Sequence, residues 1–397
     1  MMNMECKAAV EKRIHILQEY MEENQLDTVI ISSPENVYYC SHFNPIIFSK
    51  PAFVWIQKNK KPYLIVHAIR KDHAVDDGVL EQVALFGKWG GNTSLGMEPI
   101  DVLAALIGAV RGKIGIEGNH MTMNMVRQLT ERIHPADIID ISPQLRNMRL
   151  IKDAYEIQRI RQSAAIAAVG IEAAIKALDQ GAAEAQACTQ GQYAMRKFWQ
   201  QEYPKEEIAG FGSPGSPMLD GLNVWCMSNS HIAYGCDCPR DYLPRKGDVV
   251  LPMAWARLDG YAAEIERTVL VGKANQTKHR LYDAVLAARE AVFSVIQPGI
   301  SFEFLYETAI KEMEKAGFGH ILPGRCGHGI GLSAHEYPSL AAGNKRLLQP
   351  GMIFTVEPGL MTRELGGVRH SDTVLVTTLG YEVLTDFRSD KIVIKSD

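Results

Sequence analysis

Gly327-His-Gly-Ile-Gly-Leu-Ser-Ala-His-Glu336 and Gly351-Met-Ile-Phe-Thr-Val-Glu-Pro-Gly-Leu360 decide how this chain is read. Together they set two imidazoles, His328 and His335, and one carboxylate, Glu357, on short apolar runs bounded by glycines. That pattern belongs to an active site built into a sheet rather than to a solvated surface. What stands around it matters as much. Two positions where such a site would supply further carboxylates carry Met253 and Ser371.

The 397-residue length accommodates two or three domains and a large buried core. With 46% hydrophobic and 22% charged residues, the composition is that of an ordinary globular protein. A formal net charge of −4 leaves no basic excess to neutralise phosphates, so no nucleic-acid partner is expected. No apolar run is long enough to span a bilayer, and no membrane partner is expected either. Met1-Met-Asn-Met-Glu-Cys6 lacks the basic region and apolar core of a secretory signal. The seven cysteines are scattered and odd in number, which predicts a reducing, cytoplasmic setting.

The pattern of elements predicts an α+β chain. Residues 8–22 have helical spacing, and 27–33 form a β-rich run closed by Pro34. Strands at 52–56, 62–66 and 114–117 alternate with helices near 99–109 and over 121–133. This predicts a smaller mixed α/β domain over residues 1–148. A second domain, 149–397, holds predicted helices at 154–178, 278–296 and 302–316, the last two stopped by Pro298-Gly299 and Gly317. Its β-rich runs are 249–255, 266–271, 352–356 and 373–377.

Two motifs carry less than their spacing suggests. Gly210-Phe-Gly-Ser-Pro-Gly215 matches a dinucleotide-binding loop, but Pro214 and Pro217 obstruct the helix such a loop must open. It reads as a loop. Cys236-Asp-Cys238 has no second cysteine pair at zinc-site spacing and reads as a surface hairpin. The stretch from Gly247 to Thr268 is different in kind: a strand, a turn at Asp259-Gly260, and a returning strand. On that strand Glu264 and Glu266 share a face, because side chains alternate with period two. Two carboxylates buried on one face require a cation, a metal or a proton between them, whereas on an edge strand they would simply be solvated.

Gly247-Asp248 through Arg267-Thr268, His328-Gly-Ile-Gly-Leu332 with His335-Glu336, Pro350-Gly-Met352 through Glu357-Pro-Gly359, and Gly367-Val-Arg369 to Asp372 form an ordered set. The set resembles the pita-bread peptidase family M24, which comprises methionine aminopeptidase, aminopeptidase P, prolidase and creatinase. The helix carrying Lys152, Glu156 and Ile157, with the N-terminal domain, resembles the two-domain prolidase and creatinase branch. The resemblance spans nearly the whole chain. It implies a C-terminal pita-bread domain behind a creatinase-type N-terminal domain, and a homodimer.

The peptidase members hold two divalent metals with two aspartates, one histidine and two glutamates. On this sequence those positions are Met253, Glu264, His328, Glu357 and Ser371. A thioether is no oxygen ligand for a hard cation, so a dinuclear centre is not expected. The ending Glu266-Arg-Thr268 is similar to creatinase, the metal-free branch. By that resemblance Glu266 and Glu357 grip a cationic substrate group, and His231 serves as general base and then acid. Phe48-Ser-Lys50-Pro51 is similar to creatinase's Phe-Gly-Arg-Pro, with Lys50 keeping the charge but not the bidentate fork. Ser339 stands where creatinase has a second arginine, which argues against creatine itself.

The first reading is therefore a creatinase-like, metal-independent hydrolase of a C–N bond in a small cationic, carboxylate-bearing compound, with no cofactor. Its expected catalytic residues are His231, Glu266, Glu357 and His328. Phe48, Lys50, Tyr261, His335 and Arg369 are expected to contact substrate. The alternative is a metal-dependent Xaa-Pro dipeptidase or aminopeptidase P-like enzyme with a single divalent metal (Mn, Co, Zn or Fe) on Glu264, His328 and Glu357. A third reading is a non-catalytic pita-bread binding protein.

Overall fold

The computed structural model describes residues 4–46 and 50–395. The chain divides into two compact units, Met1–Arg149 with Gly210–Leu219 and Leu150–Ala209 with Asp220–Asp397.

In the first unit, α1 (Met4–Glu23) buries Val10, Ile14, Leu17 and Met21 along the helical face read from the sequence. It leads into β1 (Leu26–Ile31). Pro34 does end that run, but it also opens α2 (Pro34–Ser41), since its fixed φ suits a first helical turn. There follow β2 (Phe53–Gln57), β3 (Tyr63–His67), α3 (Lys71–Asp77), β4 (Gln82–Phe86), α4 (Pro99–Ile107), β5 (Lys113–Ile116), α5 (Met123–Ile133) and β6 (Asp137–Asp140). The six strands form one sheet in the order β4-β3-β2-β1-β5-β6, antiparallel only where β2 meets β1 and β3. The buried Glu117 carboxylate ties the end of β5 to the start of α2, accepting from Ser33 N at 2.8 Å, Ser33 Oγ at 2.6 Å and Asn36 Nδ2 at 2.6 Å. Gly210–Leu219 forms turns and isolated bridges and opens no helix, as its prolines predict.

After α6 (Ser142–Leu150), the second unit begins with α7 (Ala154–Asp179), capped by Asp153 and Glu156 in a reciprocal box. Next comes α8 (Glu184–Glu202), a helix the apolar pattern does not announce. Its buried face is Ala187, Cys188, Gly191 and Met195, small or weakly apolar residues that raise little periodic signal. A Cβ on Gly191 would meet the Gly170 carbonyl at 2.8 Å, so small residues let α7 and α8 approach closely.

The strands are β7 (Leu222–Ser228), β8 (Val249–Leu258), β9 (Tyr261–Glu266) and β10 (Val269–Val271). Then come α9 (Gln276–Phe293), α10 (Phe302–Lys315), β11 (Arg325–Gly329), β12 (Glu336–Ala341), β13 (Ile353–Val356), β14 (Gly359–Thr362), β15 (Gly366–Arg369), β16 (Ser371–Val376), β17 (Tyr381–Val383) and β18 (Ile392–Ile394). Ten of them make a sheet along the path β12-β11-β13-β16-β9-β8-β10-β18, with β17 on β16 and β7 on β8. β14 and β15 form a separate hairpin. Period-two alternation in β8 sends Val250, Ala254, Ala256 and Leu258 to a core shared with α7 and α8. Val249, Leu251 and Met253 join the core built with α9 and α10.

The β8–β9 hairpin sets the site. Asp259 and Gly260, at φ 47° and 78°, supply the two left-handed residues of a tight two-residue turn. The turn pins the register, so Met253 lies opposite Glu266 and Trp255 opposite Glu264. The run predicted over 266–271 is broken into two strands at Arg267-Thr268, and the reason is Arg267. Its buried guanidinium donates to the Arg388, Glu266 and Ser371 carbonyls at 2.7, 2.9 and 2.8 Å and to Asp372 Oδ1 at 2.6 Å. Asp372 Oδ2 accepts from Arg289 Nε of α9 at 2.7 Å. Thr268 Oγ1 donates to the Arg369 carbonyl and accepts its N–H, both at 2.9 Å. The Glu-Arg-Thr ending is thus a clamp joining β9, β15, β16 and α9.

Candidate active site

Ile265 faces the α7 and α8 core, so Glu264 and Glu266 take the other face of β9, and both are buried. Glu264 accepts from Ser371 Oγ at 2.8 Å and from Trp255 Nε1 at 3.1 Å. His328 of β11 brings Nε2 to 3.8 Å from Glu264 Oε2 and 3.5 Å from Glu357 Oε1, the latter just beyond β13. The Nδ1 of His328 lies 3.0 Å from the Gly329 carbonyl. That carbonyl can only accept, so Nδ1 donates to it and Nε2 is the ring nitrogen turned toward the two carboxylates. Nε2 is buried and has no hydrogen-bond partner. An imidazole nitrogen with no hydrogen-bond partner, facing two carboxylates, is the donor set of a divalent-metal site. Among the described residues Glu264, His328 and Glu357 are the group whose ligand atoms converge, all within 4.8 Å of one another.

A second metal does not fit. Met253 offers only a thioether, and the Ser371 hydroxyl is turned onto Glu264. Between those two positions lies Arg369, at the end of β15. Its Nε and Nη2 grip both Glu266 oxygens, the Nη2 contact measuring 2.6 Å, and Nη2 reaches Met253 Sδ at 3.2 Å.

The electrostatics show a site short of positive charge. Burial pushes the Glu357 carboxyl up to about 8, and the neighbouring Glu264 adds to the shift. Burial likewise raises Glu266 to about 7, against the pull of Arg369. Burial also acts to raise Glu264, but His328 and the Ser371 hydroxyl prevail and hold it below the usual range. His335 stacks on His328 with ring centroids 4.2 Å apart, and is lowered to about 4 by desolvation and then by His328.

His231 sits in a short 3-10 turn (Asn229–Tyr234) after β7. Its Nε2 is 2.7 Å from Asp237 Oδ2, and its buried Nδ1 has no partner. Asp237, held low first by this hydrogen bond, comes from Cys236-Asp-Cys238, which is an irregular exposed loop rather than a hairpin. The Cys236 thiol feels the charges of Arg369, Glu266 and Glu264, so this loop runs beside the carboxylate cluster.

The structure therefore brings together His328, Glu357, Glu264, Glu266, Arg369 and His335. It does not bring Tyr261, which is buried on the opposite face of β9 with its ring edge-on to Tyr155, and so presents no surface to a substrate. Lys50 belongs to the first unit and is exposed; its charge is felt by His67, which burial and then Lys50 hold low. Phe48 lies outside the described residues. The pairing of Glu266 with Glu357 as a grip for a substrate cation is corrected: Arg369 already occupies both Glu266 oxygens. The same contact turns Arg369, expected to meet substrate, onto Glu266 instead. Sequence reasoning missed Asp237, Trp255 and Arg325, whose Nε is 3.8 Å from Glu357 Oε1. Only Arg325, three residues before His328, carried a signal in its proximity to the motif.

Residues 158–378, more than half of the chain, match the model of metallopeptidase family M24. The chain belongs to this family. Residues 13–151 match the creatinase/prolidase N-terminal domain. The chain is 28% identical over 383 residues to the putative dipeptidase YkvY of Bacillus subtilis, covering 96% of this chain and 99% of that protein. It is 27% identical over 376 residues to the Xaa-Pro dipeptidase of Pyrococcus furiosus, covering 95% and 98%. Among solved structures it resembles the prolidase from Pyrococcus horikoshii, with a TM-score of 0.81 at 25% identity over 96% of this chain and 100% of that one. The two-domain architecture is thus as expected, with a creatinase-type N-terminal domain ahead of a pita-bread domain. Like the family, the chain is a hydrolase acting on a C–N bond.

The metal-independent, creatinase-like function is overturned. The relatives named above, aligned along nearly the whole chain, are a putative dipeptidase, an Xaa-Pro dipeptidase and a prolidase, and the family model is one of metallopeptidases. The expectation of no cofactor falls with it. No helix among the described residues is long and apolar enough to cross a membrane.

Proposed function

We propose that this M24 member is a metal-dependent dipeptidase acting on Xaa-Pro dipeptides, with one divalent ion held by Glu264, His328 and Glu357. The observation that carries the reading is the buried Nε2 of His328, without a hydrogen-bond partner and facing two carboxylates. The relatives named dipeptidase and Xaa-Pro dipeptidase support the substrate class. When bound, such an ion supplies Lewis-acid polarisation and a bound water of lowered pKa.

The chain's own residues do the rest. Beside the ligands lies a cleft of about 550 Å³ lined by Arg325, Ser339, Glu357, Met361 and Arg369. The partly exposed Arg325 guanidinium suits the free carboxylate of a dipeptide. His231, oriented through Nε2 by Asp237, keeps Nδ1 available to take and return a proton. The proposal includes a reducing, cytoplasmic setting, supported by the seven free thiols, and a homodimer, supported by the family resemblance.

Exhaustive chelation is expected to abolish cleavage of Xaa-Pro dipeptides, and manganese, cobalt, zinc or iron to restore it. Turnover that survives chelation, or metal-loaded protein that cleaves no Xaa-Pro dipeptide, would overturn the proposal. His231→Ala is expected to lower kcat/KM by roughly 10²–10⁴-fold, the usual contribution of a proton-transfer group. Its metal content should stay at the wild-type level, because His231 is no ligand. A variant with near-normal kcat/KM would remove His231 from the mechanism.

A further inference from the structure

The strand register places Glu266 between two residues that cannot act as carboxylates. It pairs with Met253 across β8 and with Ser371 across β16. The space those short or apolar side chains leave is filled by a guanidinium. Arg369 uses Nε and Nη2 on the two Glu266 oxygens and lays Nη2 against Met253 Sδ at 3.2 Å. A two-pronged fork engages both oxygens of its carboxylate and neutralises its charge, which makes Glu266 a poor partner for a second cation.

We infer that Arg369 is a resident cation standing in for one of two metal ions, so that the site takes a single divalent ion at Glu264, His328 and Glu357. The inference rests on the one-ion, metal-dependent reading proposed above, and goes beyond it by saying what excludes a second ion and which residue takes its place. Charge balance agrees with the geometry. Glu264, Glu266 and Glu357 are all buried, and Arg369 is the cation bonded within the cluster. With all three ionised, as a bound cation would hold them, three carboxylates against one guanidinium leave two negative charges, which one divalent ion neutralises. A second ion would leave an excess positive charge in the same buried volume. Arg325 does not alter the count, since its side chain is 46% exposed and screened by solvent. The neighbouring Lys152 is already paired with Glu336 at 3.2 Å. The substitutions at 253 and 371 and the pairing of Arg369 with Glu266 are therefore one coordinated change. In it Arg369 acts as a positioning residue that holds Glu266 away from the metal.

The test is a metal count rather than an activity. Purified full-length protein is loaded with excess manganese or cobalt, desalted, and measured by elemental analysis and titration calorimetry. The wild-type chain is expected to retain about one equivalent, and the variant Met253→Asp/Glu266→Thr/Ser371→Glu about two, since it restores oxygen ligands and removes the fork's partner. Two tight equivalents in the wild-type chain would overturn the inference while leaving the peptidase reading intact. None in the wild-type chain would overturn both. A folded triple variant that still retains one equivalent would also overturn it, because the Arg369 pair would then not be what excludes the second ion. Should the triple variant fail to fold, the wild-type count still decides.

Discussion

His328→Ala is expected to strip the metal from the protein and lower kcat/KM by roughly 10³-fold or more, because it removes a member of a set that acts as a unit. Nothing nearby can replace it. His335 stacks on His328 but is exposed on its other side and is no member of the converging ligand set. Removing His328 also leaves Glu264 and Glu357 facing each other in a buried space with no third donor to assemble the ion. The effect has a readout independent of turnover. Metal at about 100 times its Kd stabilises a folded protein by about 2.7 kcal/mol, so wild-type melting should shift upward on adding manganese and the variant's should not. A variant that still shows the full metal-induced shift would show that the ion binds elsewhere.

Asp372→Ala carries the largest expected stability effect. The Asp372 carboxylate is fully buried, with Arg267 Nη2 at 2.6 Å, Arg289 Nε at 2.7 Å and Thr385 Oγ1 at 3.1 Å. Truncation leaves two buried guanidiniums facing each other without their common anion, and opening a buried pair in this way costs about 3–5 kcal/mol. The clamp also holds β9, β16 and α9 in register, so the loss would reach the site through the positions of Glu264 and Ser371. Asp372→Asn keeps the shape and some hydrogen bonds but not the charge, and should fall between the two. Urea unfolding monitored by circular dichroism measures the difference. A cost below about 1 kcal/mol for the alanine variant would mean the two arginines find other partners.

Much of this was legible in the chain itself. Alternation in Val249–Leu258, the Asp259-Gly260 turn and the glycine-bounded histidine and glutamate runs announced a hairpin and a sheet-built site, because local geometry follows directly from residue spacing. α8 was not legible, since a face of Ala187, Cys188, Gly191 and Met195 is apolar only in the context of the helix it packs against. The dual role of the Glu-Arg-Thr ending was also hidden. Read as a string, Glu266 is a free carboxylate awaiting a substrate cation, and Arg267 is an unremarkable charge.

That misreading had consequences. Counting the missing ligands, Met253 and Ser371, argues against two metals, but it does not reveal that His328 aims an unpartnered nitrogen at two carboxylates, nor that Arg369 has taken Glu266. Both depend on where side chains on β9, β11 and β15 and just beyond β13 converge, and residues 64 and 103 positions apart have no pattern linking them in sequence. Two relatives matched along nearly their whole length, one named a putative dipeptidase and one an Xaa-Pro dipeptidase, point the same way as the geometry. By itself the sequence determined the family, the order of the elements and which ligand positions are occupied, because these are matters of residue identity and local spacing. Only the tertiary structure decided which carboxylates remain open to a metal, because that depends on which charges are neutralised inside a buried, low-dielectric cluster.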